Sequence, residues 1–163
     1  MCIRDSVAPA MNPQDVSNSL WALAKLSVPM EGELRASLLR AAGRVAPAME
    51  PQHVSNLLWA LAKLSVPLEG DLRARLLHAA GRVAPAMEPQ HVGNSLWALG
   101  TLADADRDLT VDAETQSALL AAAQAQAPCM KPEEARMTLQ GAGNLGWVLS
   151  GELVQQLRSR FTQ

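Results

Sequence analysis

Apolar positions recur at helical spacing along most of the chain, and the whole pattern returns every 38 residues. Advancing about 100° per residue places Val16, Leu20, Leu23 and Ser27 on one stripe, with Gln14, Asn18, Ala22 and Lys25 opposite. VAPAM at Val7–Met11 recurs at Val45–Met49 and Val83–Met87, and Trp21, Trp59 and Trp97 keep the same interval. Each unit therefore predicts two helices. Helix A starts at Pro13, Pro51 and Pro89, where proline suits the first helical position, and Asn12 can cap the first copy. It runs through Ala24-Lys25-Leu26 and stops near Pro29 or Pro67, because a residue before proline disfavours helix. Helix B spans roughly Gly32 to Arg44 and Gly70 to Arg82, ended by the Ala-Pro-Ala-Met linker.

Short connections make each pair an antiparallel hairpin. A period of this length, with no strand signal, predicts an all-α fold, an alpha-solenoid of stacked hairpins. Residues 7–103 hold three copies, the third diverging after Leu99; 104–112 read as a polar insertion. Residues 113–163 complete the third unit and add a degenerate fourth from Pro132, where Gln140 replaces tryptophan and Gly141, Gly143 and Gly146 loosen helix A. The apolar stripe of helix A is expected to pack on Leu34, Leu38, Ala41 and Val45, with Trp21 and Leu26 on opposite flanks. A buried indole contributes more than any other side chain here, so the tryptophans read first as glue between repeats.

The opposite stripe carries the candidate chemistry. Gln14, Asn18, Ala22 and Lys25 align with Gln52, Asn56, Ala60 and Lys63, and with Gln90, Asn94, Ala98 and Thr101. Stacking brings them into parallel rows. One reading is a solvated face, with asparagines bridging neighbouring helices. The other is a groove for an extended polymer, in which lysine meets phosphates, alanine permits close approach and amides meet base edges or sugar hydroxyls. Positions that vary between copies are candidates for selectivity or plain surface drift. Asp15, His53, His91 and Glu134 align, as do Ser19, Leu57, Ser95 and Thr138; on helix B, Arg40 aligns with His78 and Ser37 with Arg75.

Composition narrows the classes. Apolar residues make up 48% of the 163 positions, enough for a core. No apolar run approaches the roughly 20 residues that span a bilayer, so no membrane partner is expected. One phenylalanine and no tyrosine leave no stacking platform of the kind RNA-recognition sheets use. Met1–Ser6 match nothing that follows and read as the translated end of a sequencing adapter. Any targeting peptide would lie outside what this chain shows. Setting those six aside leaves one cysteine, Cys129, expected to be a small buried apolar residue. His53, His78 and His91 make no metal pattern, and the acids between Asp104 and Asp112 lack the glycine and closing glutamate of a calcium loop. With no phosphate loop or catalytic constellation, neither enzyme, metal nor cofactor is expected. Formal charge is −2 overall, +1 over Val7–Ala103 and −3 beyond it, so a basic footprint would have to come from arrangement on one face.

The core PQxVSNxLWALAKL at this period resembles the octotricopeptide repeat and is similar to the Leu-rich region of FAST-kinase-like and RAP-domain proteins. Pro51-Gln52, Ser55-Asn56 and Leu58–Leu64 carry the likeness, which covers Val7 to Ala103 well and the rest weakly. The resemblance implies a helical-repeat protein that binds organellar RNA in the mitochondrial matrix or chloroplast stroma. It implies a part in RNA processing, splicing, transcript stability or translation, with transcripts or ribosomal RNA as ligand and other ribonucleoprotein components as partners. No RAP domain is expected within residues 113–163, lysine gives way to Thr101 in the third copy, and the fourth copy has no tryptophan at its helix A position. The expected RNA contacts are Gln14, Asn18, Lys25, Gln52, Asn56, Lys63, Gln90 and Asn94, with Asp15, His53 and His91 for selectivity. At one base per repeat, four units read about four nucleotides, so binding by this chain alone is expected to be weak. The rival expectation is a protein-binding scaffold gripping an extended peptide or a partner helix.

Overall fold

The computed structural model describes residues 8–162, and the adapter-like hexapeptide lies outside them. Among the described residues the chain is all-helical, with eight α-helices and no strand. These are α1 (Pro13–Lys25), α2 (Gly32–Val45), α3 (Pro51–Lys63), α4 (Gly70–Val83), α5 (Pro89–Ala105), α6 (Ala113–Gln126), α7 (Pro132–Asn144) and α8 (Gly151–Ser159). Odd-numbered helices pack against one another in succession, α1 on α3, α3 on α5 and α5 on α7, and make the most extensive contacts in the molecule. Helices α2, α4 and α6 form a second, looser row.

The starts of the first-row helices follow the expected capping. Asn12 Oδ1 accepts the Asp15 N–H at 2.9 Å, and the Asp15 carboxylate accepts the Asn12 N–H at 3.0 Å. Their ends differ from expectation. Helices α1 and α3 stop at Lys25 and Lys63, before the prolines act, because Ser27 and Ser65 turn left-handed at φ 53° and 54°. The Val28 N–H then reaches back to the Leu23 carbonyl, and Val66 to Leu61, both at 2.9 Å, which ends a helix within one residue. Ser27 is thus an exposed turn residue and not part of the packing stripe. In the third unit no such turn forms, so α5 runs on to Ala105 and takes in the first two residues of the expected polar insertion. Arg73 donates to the Asp108 carbonyl at 2.6 Å and holds the remaining connection against α4.

Val16, Leu20, Leu38, Ala41 and Val45 are buried as the periodicity requires, joined by Met30, Met49, Met87 and Met130. Leu34, expected to pack on the apolar stripe, is exposed, with nothing among the described residues covering it. The fourth unit is not loosened. Helix α7 is continuous, Gly146 (φ 70°) makes the same left-handed stop as Ser27, and Gly141 lies against the backbone of α5. A Cβ on Gly100 would come within 2.6 Å of the Gly141 carbonyl, and one on Gly141 would run into the Leu96 carbonyl. Cys129 is exposed, not buried. It takes the linker position held elsewhere by Ala48 and Ala86, which face solvent too.

A recurrent arginine ties the joints together. Arg44 donates to the carbonyls of Ala8 (3.0 Å) and Met11 (2.9 Å), Arg82 to Met49 (2.7 Å), and Arg160 to Met130 (2.9 Å). Each guanidinium satisfies carbonyls left over where a linker meets the next first-row helix.

Candidate nucleic-acid interface

On the outer face of the first row, Lys25, Asn56, Gln90 and Asn94 line one groove, while Gln14, Asn18, Gln52 and Lys63 are exposed but do not line it. The groove, of about 860 Å³, runs obliquely across the face, from Trp21 and Lys25 past Asn56 and Trp59 to Gln90 and Asn94. It ends on the first turn of α7, among Lys131, Glu133, Glu134 and Arg136. Gln14, Gln52, Gln90, Lys25 and Lys63 are exposed; Asn18 is exposed and Asn56 and Asn94 half-buried. Internal hydrogen bonds on these helices engage Ser17, Ser55, His53 and His91, and leave the asparagines for other partners.

Alanine does not line this groove. Ala60 and Ala98 are fully buried between neighbouring first-row helices, and Ala22 is exposed because no helix precedes α1 in the row among the described residues. Small residues at this position let helices approach each other rather than a ligand, most closely where glycine replaces them at Gly141. Leu57, Ser95 and Thr138 are buried as well, so this varying position faces the interior. The Ser95 hydroxyl has no partner there.

The tryptophans are only partly covered. Trp21 is 40% exposed, while Trp59 and Trp97 are half-buried and pack on the core, each with an edge left open. They share the groove face with the lysines. The Lys25 ammonium lies 5.3 Å from the centroids of both Trp21 and Trp59, and Lys63 lies 5.6 Å from Trp59 and 5.2 Å from Trp97. A cation within about 6 Å of an indole is attracted by the ring quadrupole. The result is a continuous rail, Trp21–Lys25–Trp59–Lys63–Trp97. It stops there, because Thr101, Gln140 and Asn144 follow in the positions of lysine, tryptophan and lysine. The signal in the sequence is a tryptophan four residues before a lysine, twice, which puts the pair on one helix face.

The selectivity candidates have a local task. His53 Nδ1 accepts the Glu50 N–H and His91 Nδ1 the Glu88 N–H, each at 3.2 Å. Glu134 does the same for Lys131 at 2.7 Å, as Asp15 does for Asn12. Four side chains of three kinds thus satisfy one orphan donor at each helix start. Burial lowers the His91 pKa below its ordinary 6.5, against an opposing pull from Glu88.

On the second row Arg40 pairs with Glu33 at 2.9 Å and Arg75 with Asp71 at 2.6 Å. Between α2 and α4 they border a groove of about 660 Å³ floored by Ala36, Leu39 and Leu72. Among the described residues no cluster of His, Cys, Asp or Glu could hold a metal, and no helix is long and apolar enough to cross a membrane. No family model matches the chain, and a search of curated proteins gives no match either.

Proposed function

We propose that the chain is an alpha-solenoid of 38-residue hairpins that binds single-stranded RNA along its first-row helices. By its resemblance to organellar RNA-binding repeats, its task is RNA processing, transcript stability or translation in a mitochondrion or chloroplast, alongside other ribonucleoprotein components. The observation that carries this reading is the shared groove, where amides, ammonium groups and indoles from successive repeats meet on one surface. Such a surface offers phosphate contacts for position and amides for base or sugar edges. Lys131 and Arg136, outside the set expected from sequence, stand at its far end beside Glu133 and Glu134, so that end carries charges of both signs and the cationic contacts come from Lys25 and Lys63. Gln14, Asn18, Gln52, Asn56, Gln90 and Asn94 supply the polar contacts, Lys25 and Lys63 the phosphate contacts.

Filter binding of single-stranded RNA over a salt series tests this. Lys25→Ala with Lys63→Ala should weaken binding and flatten the salt dependence by about 0.7 in log–log slope for each phosphate left without its lysine. An unchanged slope would remove these lysines from the contact set, and absence of binding at low salt would overturn the reading. The second-row groove favours the rival, a protein-binding scaffold, because an apolar floor rimmed by charges of both signs, arginines with Glu69 and Asp71, suits a helix or peptide. A variant with Leu39→Ala and Leu72→Ala, verified as folded by circular dichroism because both side chains also pack on the core, separates the two, since it should leave RNA binding intact.

A further inference from the structure

We propose that the two lysine-filled gaps in the rail are slots for nucleobases, so that Trp21, Trp59 and Trp97 are stacking platforms rather than structural ornaments of the repeat. The inference rests on the RNA reading and deepens it. Each gap holds an ammonium within reach of two indoles from successive helices; the first, at Lys25 between Trp21 and Trp59, opens into the groove, and the second repeats its spacing at the exposed Lys63. An aromatic ring centred where the Lys25 ammonium lies would be 5.3 Å from both indole centroids. At the Lys63 ammonium the distances would be 5.6 and 5.2 Å. All four fall inside the roughly 4.5–7 Å window of favourable aromatic pairs.

Occupancy is an exchange. Without ligand, lysine fills the slot and shields the indoles from water. When a base enters, the lysine stem swings outward and its ammonium meets the adjoining phosphate. An exposed cation–π contact is worth less than stacking a base on an aromatic ring, and the phosphate contact adds to the gain. The exchange therefore runs toward bound RNA. Stacking tolerates any base, so these slots supply affinity, while the half-buried Asn56 and Asn94 beside them are placed to discriminate. Trp59 forms a wall of both slots, which makes it the residue on which the rail depends.

The test uses the full chain in a Trp147→Phe background, so that only the three rail indoles report. Short single-stranded homopolymer RNAs and an abasic strand of equal length are titrated at low salt. Binding of base-bearing RNA should quench indole fluorescence, and the abasic strand should bind at least about fivefold more weakly, the smallest effect of one stacked base. Trp59→Leu should bring that ratio toward one while leaving the salt slope unchanged. Trp59→Phe, which keeps a smaller ring and the fold, should retain an intermediate ratio. If base-bearing and abasic strands bind equally and fluorescence stays constant, the slots are not base sites although the RNA reading survives. If neither strand binds, both fall together.

Discussion

At the scale of single residues, the variable third position of each first-row helix shows how one physical need can be met by different chemistry. Aspartate, histidine, histidine and glutamate each accept the same orphan N–H. Histidine alone among these does so only while its Nδ1 is unprotonated. Because burial depresses the folded-state pKa of His91, the unfolded chain binds its proton first as the solution is acidified. The stability it contributes is therefore full above the ordinary value of 6.5 and is lost as pH falls through the folded pKa. Thermal melts from pH 7.5 to 5 should show this decline, and His91→Glu, which copies the fourth repeat, should shrink it. An unchanged pH profile in that variant would deny His91 the role. Nothing in the sequence separates this capping task from selectivity, since both place a polar side chain on the surface. Cys129 departs from expectation for a simpler reason: the residue type suggests burial, while its repeat position, shared with Ala48 and Ala86, means exposure.

At the scale of elements, proline and period place the helix starts of the first two units to within a residue, since both act locally, but not the ends of α1 and α3, which the left-handed Ser27 and Ser65 set ahead of the prolines. They also miss the contact between helices. One helical wheel cannot reveal which flank a neighbour covers, so it sends Ala60 to a groove when it lies buried between helices, and it does not show that Trp59 keeps an open edge. Glycine in α7 likewise reads as a weakness of the helix when it is a condition of its docking. Gly141→Ala should cost about 1–3 kcal/mol, because a methyl group would meet the α5 backbone. Gly143→Ala, two residues on and facing open space, should stabilise by about 0.5 kcal/mol through reduced freedom of the unfolded chain. Urea titrations of both variants decide the matter; equal effects would mean that α5 and α7 are not in such close contact.

At the scale of the whole molecule, the two ends of the row are unlike. The first hairpin exposes Leu26 at 74% and Val28 at 39%, whereas Leu102 and Val66, their counterparts in later units, are 5% and 2% exposed. The same residue type should therefore respond differently to truncation. Leu26→Ala should change stability by no more than about 0.5 kcal/mol, and Leu102→Ala should cost about 2–5 kcal/mol. Denaturant midpoints at matched m-values would show it; similar losses would mean that the outer face of α1 is covered in solution. At the other end, α7 meets α5 with bare backbone on both sides, a fit with no side chain to rearrange. Between these extremes lies a gradient of cohesion. Pulled from both ends, or left in deuterated water, the chain should come undone in one direction, shedding α1 and α2 first while amides of α5 and α7 remain the last to exchange.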